Sequence, residues 1–115
     1  MSNPACIFCN ILRGESPARI VYEDASCLAF DDIHPQAPVH LLVIPRKHFA
    51  SAAEATEEDE ALLGHLHRVA AQLAREHGLK QGHRVVMNTG AAAGQTVFHV
   101  HLHVLGGRPF RWPPG

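Results

Sequence analysis

His99, His101 and His103 stand two residues apart in the run His99-Val-His-Leu-His-Val-Leu105. Period two inside an apolar, β-branched run predicts a strand that turns its histidines to one face and Val100, Leu102 and Val104 to the other, into a core. Neighbouring histidines on that face are about 6.6 Å apart, so the row spans roughly 13 Å and presents several ring nitrogens along one phosphate ester. Two plainer readings compete. Three half-buried rings with no task would need polar partners that hydrophobes do not. A three-histidine metal site is disfavoured because the outer pair is too far apart to converge at Zn–N distances of about 2.0–2.1 Å, so one or two of the row at most are expected on metal.

A second chemical group is Cys6-x-x-Cys9. Three cysteines make a poor disulfide framework. A thioredoxin-like use of the pair needs a preceding strand, and only five residues come before Cys6. A zinc half-site fits better, completed by two ligands from elsewhere, which histidines supply readily. Cys27, alone in an expected strand, reads as an inert core thiol.

Elements must carry these groups into place. The 115 residues, 46% hydrophobic, predict one domain over 1–115 with a single core, small enough for a metal or a partner subunit to help it. Ten Lys and Arg against eleven Asp and Glu, a net charge of −1, argue against duplex nucleic acid as a partner and leave small anions open. The start, Met-Ser-Asn-Pro-Ala-Cys, has no basic n-region or apolar h-region, and no stretch reaches the ~18 apolar residues of a membrane helix. A soluble, cytoplasmic protein is expected, with no membrane partner and no organic cofactor.

Along the chain, residues 6–13 predict a short helix ending at Gly14, and Arg19–Glu23 and Cys27–Phe30 a hairpin turned at 24–26. Two prolines keep 31–38 irregular. His40–Pro45 predicts a buried third strand. Thr56-Glu-Glu-Asp59 has the form of a helix N-terminus, and Leu62, Leu63, Leu66, Val69, Ala70 and Leu73 continue it at helical spacing to His77-Gly78. His65, His67 and His77 read as surface residues of that helix. Arg84–Asn88 predicts a fourth strand, and the small-residue loop 89–95 opens onto the histidine row, where Gly90 and Gly94 would let backbone amides approach a phosphate. The tail from Gly106 cannot continue a sheet, and its only Trp, Trp112, suggests that it lies across another surface.

The histidine run resembles the signature of the histidine triad superfamily. Cys27-Leu-Ala-Phe-Asp-Asp-Ile33, Pro35-Gln-Ala-Pro38, His40-Leu-Leu-Val-Ile-Pro-Arg-Lys-His48, Asn88-x-Gly90, Gly94-Gln95 and Trp112-Pro-Pro-Gly115 extend the likeness over essentially the whole chain, to the Hint branch of histidine triad nucleotide-binding proteins. The resemblance implies an α+β fold with a five-stranded antiparallel sheet, one long helix and a short N-terminal helix. It also implies a homodimer whose sheets join, with the tail 106–115 contacting the partner subunit. The implied ligands are purine nucleoside monophosphates, AMP and GMP, and the implied activity is phosphoramidase action on adenosine phosphoramidates such as AMP-lysine.

Carried over by position, His101 matches the family nucleophile and His103 a phosphate contact, with His40 in support. Asn88, Gly94, Gln95 and Val97 match phosphate-side residues. Ile20, Phe30, Asp32, Ile33 and Leu42 match those around base and ribose, where Asp32 can accept from ribose hydroxyls. Thr96 stands where the branch usually has Ser and keeps a hydroxyl for the leaving group or the phosphate. Asp31 stands where animal members often have His, adding charge near the nucleoside. Trp112 matches a tail residue that reaches the other subunit's site, with Phe110 and Arg111 beside it. Cys6, Cys9, His48 and His99 match the four ligands of zinc-bearing members, one structural zinc per chain, which removes His99 from proton transfer. Competing functions are a nucleotide-binding scaffold in which turnover is incidental, and a dinucleoside polyphosphate hydrolase. The Trp-Pro-Pro-Gly ending argues for the Hint branch.

Overall fold

The computed structural model describes residues 5–115. Helix α1 (Ile7–Leu12) leads into strands β1 (Ile20–Glu23), β2 (Cys27–Asp31) and β3 (Val39–Pro45). Helix α2 (Glu60–Glu76) follows, then β4 (His83–Val86) and β5 (Leu102–Gly106). The five strands form one antiparallel sheet in the order β1-β2-β3-β5-β4. This is the α+β arrangement expected from the sequence.

Strand alternation gives the sheet two different faces. Cys27, Ala29, Leu41, Val43, Leu102 and Val104 point to α2 and pack on Leu66, Val69, Ala70 and Leu73. Leu28, Phe30, Leu42 and Ile44 point the other way, against Cys6, Phe8, Cys9 and Ile11 of the α1 segment. The long helix therefore closes the main core, and among the described residues the opposite face is covered by a six-residue helix with Ala18 and Val97 beside it. That thinly covered face carries the histidines.

The ladder is shorter than the histidine spacing predicts. β5 begins at Leu102, so His103 alone of the three lies in the strand, while residues 97–99 bend and 100–101 are irregular. Continuing the β3–β5 register past Val43↔Leu102 would set Pro45 opposite Val100. Pro45 has no N–H to give a ladder. Its carbonyl instead accepts from His99 Nε2–H at 2.9 Å, and the Val100 N–H bonds the Phe49 carbonyl at 2.9 Å. Alternation nevertheless survives, since Val100, Leu102 and Val104 all reach the α2 core. β4 also ends early, at Val86, which leaves Asn88 in the loop.

Helix α2 starts one turn later than Thr56 suggests. Glu57–Asp59 is a 3₁₀ turn, in which the Asp59 carboxylate accepts the Thr56 N–H at 2.9 Å and binds Lys47 Nζ at 2.6 Å. His67 is exposed, as expected for the helix surface, and donates to the Leu63 carbonyl. His65 is not free surface: it is half-buried and its Nε2 lies 2.7 Å from Asp24 Oδ2.

Asp24 ties the β1–β2 turn to α2. Its carboxylate also accepts from Tyr22 Oη and from the Ser26 and Cys27 N–H groups. Burial alone would raise its pKa, but the bonds from Ser26, Tyr22, His65 and Cys27 outweigh it and hold the group well below the usual carboxylate range. A folded pKa below the unfolded ~3.9 stabilises the fold above that value and loses the contribution as pH falls below it. We expect Asp24→Ala to cost about 2 kcal/mol at neutral pH, read by urea denaturation. We also expect the melting temperatures of wild type and Asp24→Asn to converge as pH is lowered from about 5 towards 3.

Candidate active site and metal centre

On the α1 face, β3 and β5 place His40, Leu42 and His103 together, because Leu42 pairs with His103 and His40 with Leu105. The Gln36 backbone N–H donates to His40 Nδ1 at 3.0 Å. Neutral His40 therefore carries its proton on Nε2, which lies 2.9 Å from His103 Nδ1 and 3.3 Å from Asp32 Oδ2. It follows that His103 Nδ1 accepts and its Nε2 holds the proton. Burial, with His101 and His40 nearby, pushes the His103 pKa down to about 4 against the opposing charge of Asp32, so the neutral tautomer persists at physiological pH. Burial also lowers the pKa of His40, again against Asp32.

His101 is oriented separately. Its Nδ1–H donates to the His99 carbonyl at 2.8 Å, which leaves the lone pair on Nε2. Burial lowers its pKa as well, the carbonyl bond and Asp32 opposing. The residue is only 6% exposed, yet among the described residues Nε2 has no hydrogen-bond partner. Among the described residues no fully buried side-chain nitrogen or oxygen lacks one, so solvent reaches this atom. The His101 and His103 rings lie 5.0 Å apart between centroids, closer than strand spacing alone gives. The pair presents one acceptor and one donor side by side.

Phe8 was not singled out by sequence reasoning. Its ring packs edge-on against His101 at 5.1 Å, Phe30 at 5.5 Å and His99 at 5.9 Å. A six-residue helix is too short for periodicity to mark its inner face, and only the neighbouring Cys9 hinted at it.

The remaining expected site residues fall into three places. Phe30 and Leu42 are buried beside Phe8, whereas Asp31 and Asp32 are half-buried at the end of β2. Ile20 and Ile33 are exposed, Ile33 at 82%, on the surface beyond them. Past β4, Asn88 Nδ2 lies 3.9 Å from where a Cβ on Gly94 would sit, and the positive φ of Gly94, 95°, favours glycine there. Gln95 is buried and its amide is committed to the loop: Oε1 accepts from the Gly90 N–H, and Nε2 donates to the Ala50 and Val97 carbonyls. Thr96 is exposed and Val97 half-buried. Trp112 is 85% exposed. With His48, Cys6, Ile7 and Phe98, the Thr96–Val97 pair lines a cleft of about 300 Å³. A larger depression of about 790 Å³, between the loop after α2 and the tail, contains none of the clustered histidines.

Cys6, Cys9, His48 and His99 form a second centre behind His101. Their ligand atoms all lie within 4.8 Å of one another. His99 Nε2–H is spent on Pro45, so Nδ1 offers its lone pair, 3.0 Å from His48 Nδ1, 3.5 Å from Cys6 Sγ and 3.6 Å from Cys9 Sγ. Cys9 Sγ lies 3.3 Å from His48 Nδ1. Tetrahedral zinc with Zn–S of about 2.3 Å and Zn–N of about 2.0–2.1 Å sets its ligands roughly 3.3–3.8 Å apart. The four separations just given, 3.0–3.6 Å, lie within a few tenths of an ångström of those values. The chemistry fits too: burial holds His99 neutral, its pKa near 4, with His48 and His101 adding to the effect. Burial pushes the Cys6 thiol up, a cost that a bound cation reverses. Cys27 is apart from this set; it is fully buried and pushed up to about 12, chiefly by burial, as an inert core thiol should be.

With this geometry established, comparison with known proteins decides the family. A family model described as scavenger mRNA decapping enzyme, C-terminal binding, matches residues 5–109. An uncharacterized HIT-like protein of Synechocystis is 59% identical over 109 residues, 95% of this chain and 96% of that protein. The chain belongs to the HIT-like family. Among solved structures, a HIT family hydrolase from Legionella pneumophila superposes with a TM-score of 0.93 at 50% identity, covering 96% of this chain and 99% of that one. A Zn-bound histidine triad family protein from Mycobacterium smegmatis gives a TM-score of 0.79 at 41% identity, covering 90% of this chain and 76% of that one.

Proposed function

We propose that this HIT-like protein is a cytoplasmic purine nucleoside phosphoramidase, a nucleotidyl hydrolase that cleaves the P–N bond of AMP–amine conjugates through a nucleotidyl-histidine. The observation that carries the reading is the lone pair on His101 Nε2, fixed by the Nδ1–H bond to the His99 carbonyl and open to solvent. Hydrolases among the similar solved structures support the reaction class.

His101 Nε2 attacks the α-phosphorus and forms an N–P bond while the bond to the amine breaks. The nitrogen departs as the free amine, taking a proton that solvent supplies through the Thr96 hydroxyl, and His103 Nε2–H donates to a non-bridging phosphate oxygen. Water then hydrolyses the adduct, releasing AMP or GMP and restoring His101. Asn88 and the backbone around Gly94 to Val97 contact phosphate, with the Gln95 side chain as the brace that shapes their loop. Phe30, Leu42, Ile20 and Ile33 hold the base, and Asp32 accepts from the ribose hydroxyls, with Asp31 tuning base preference. A zinc ion on Cys6, Cys9, His48 and His99 supplies four coordinate bonds that staple α1 to the segment before β5. The Zn-bound mycobacterial relative supports that assignment.

A homodimer in which sheets join completes the reading. β4 is an edge strand with an open row of backbone groups, and Trp112 has large exposed apolar area to cover against a partner's site. Light scattering should give twice the chain mass. Steady-state hydrolysis of a fluorogenic adenosine phosphoramidate tests the activity itself; AMP binding without turnover would favour the scaffold reading.

His40 acts through His103. Removing its Nε2–H leaves Nδ1 of the half-buried His103 without a donor and frees the ring to flip. We expect His40→Ala to lower kcat about 10- to 100-fold, equivalent to roughly 1.4–2.8 kcal/mol, with KM little changed, and His40→Asn to lose less.

A further inference from the structure

The segment carrying the nucleophile's anchor has few restraints of its own. Residues 97–101 lie outside the ladder, and among the described residues the bond from Val100 N–H to the Phe49 carbonyl is the one backbone–backbone tie from this stretch to the rest of the fold, with Gln95 Nε2 holding the Val97 carbonyl. What fixes His99 is its side chain. Nε2 donates to the Pro45 carbonyl, and Nδ1 faces Cys6 Sγ, Cys9 Sγ and His48 Nδ1 at 3.0–3.6 Å. The carbonyl of the same residue receives His101 Nδ1–H at 2.8 Å. One residue thus belongs to both centres, through opposite ends. Phe8, between the two cysteines, touches both imidazoles and joins them on a third side.

We propose that binding of a divalent cation of zinc's class at Cys6, Cys9, His48 and His99 sets the orientation of His101, with His99 as the positioning residue that transmits occupancy to the nucleophile through its backbone carbonyl. The inference rests on the proposed role of His101 and adds a control over it. When the four donors are tied together, the His99 ring is gripped at both nitrogens, its backbone is pinned, and its carbonyl holds His101 in the tautomer with Nε2 free. Without the cation the four donors meet one another through weak thiol and imidazole contacts at 3.0–3.6 Å, and the Cys9 N–H on Cys6 Sγ at 3.3 Å ties Cys6 to α1 and not to His99. His99 then keeps the Pro45 bond alone, and the carbonyl gains freedom to move. Rotation of the His101 ring or exchange of its tautomer follows.

The test is spectroscopic and needs no substrate. In protein labelled with ¹⁵N-histidine, the side-chain N–H signal of His101 is identified by its loss in His101→Ala. It is followed with one zinc bound, after exhaustive chelation, and after zinc is restored. We expect its exchange with water to accelerate at least tenfold on chelation and to return with zinc, while circular dichroism is unchanged and AMP affinity stays within about threefold. Adenylylation in a single turnover should slow at least tenfold in parallel. An exchange rate within twofold of the loaded value, in folded metal-free protein, would overturn the proposal. If the stripped chain unfolds, His48→Gln decides by the same criterion, since His48 is half-buried and its loss weakens binding without opening the core. Failure of the loaded wild type to form any adduct, while the His101 signal still answers to zinc, would sink the phosphoramidase reading and leave this coupling standing.

Discussion

His101→Ala should abolish turnover of an adenosine phosphoramidate, by at least about 10⁴-fold or roughly 5.4 kcal/mol of transition-state stabilisation, with AMP affinity changed only severalfold. The expectation follows from how the ring is held. A neutral imidazole attacks only with a lone pair aimed outward, and the 2.8 Å bond from Nδ1–H to the His99 carbonyl puts that pair on Nε2. His103 cannot replace it: its Nδ1 is engaged by His40 and its Nε2 carries a proton. The two imidazoles, chemically alike in the sequence, are made acceptor and donor by different partners. The same variant should still fold: it removes the donor to the His99 carbonyl and a ring that packs on Phe8, and leaves the main core against α2 untouched. Retention of more than about a tenth of wild-type kcat would count decisively against covalent catalysis at this position.

The second large effect is expected at the metal centre. Cys9→Ala should reduce bound zinc from about one equivalent per chain to less than a tenth, measured by atomic emission after gentle purification. Stability should fall with it. With free zinc near 1,000 times its dissociation constant, binding contributes about 4 kcal/mol, equivalent to roughly 15 °C in Tm for a domain of this size. Cys9 is nearly fully buried and packs in the cluster that joins α1 to β2 and β3, so the lost metal also loosens the cover over the histidine face. Chelation of the wild type should reproduce most of the loss; a Tm insensitive to chelator in zinc-loaded protein would contradict a stapling role.

Much of this was legible in the chain. The helical repeat of α2, the β1–β2 hairpin and the buried β3 follow from periodicity and turn residues, because each element buries one face or stripe against a single core. Cys6-x-x-Cys9 suggests half of a metal site and the family resemblance points to His48 and His99, and the fold brings these four side chains together. Other features depended on contacts between elements. The period of the histidine row predicts a full strand, yet Pro45 on the neighbouring strand ends the ladder at Leu102, a constraint that residues 99–105 do not themselves carry. His65 looked like helix surface until the β1–β2 turn brought Asp24 to it. Phe8 lay in a helix too short to show its inner face. The tautomers of His40 and His103 rest on a backbone N–H of Gln36, a group that carries no side-chain signature at all.

The most direct measurement is intact mass spectrometry of the zinc-loaded wild type, quenched in acid-free buffer during a single turnover of an adenosine phosphoramidate. We expect one added adenylyl group per chain, mapped by peptide sequencing to His101 and missing in His101→Ala. Release of AMP at the wild-type rate with no adduct at His101 at any time would contradict nucleotidyl-histidine chemistry.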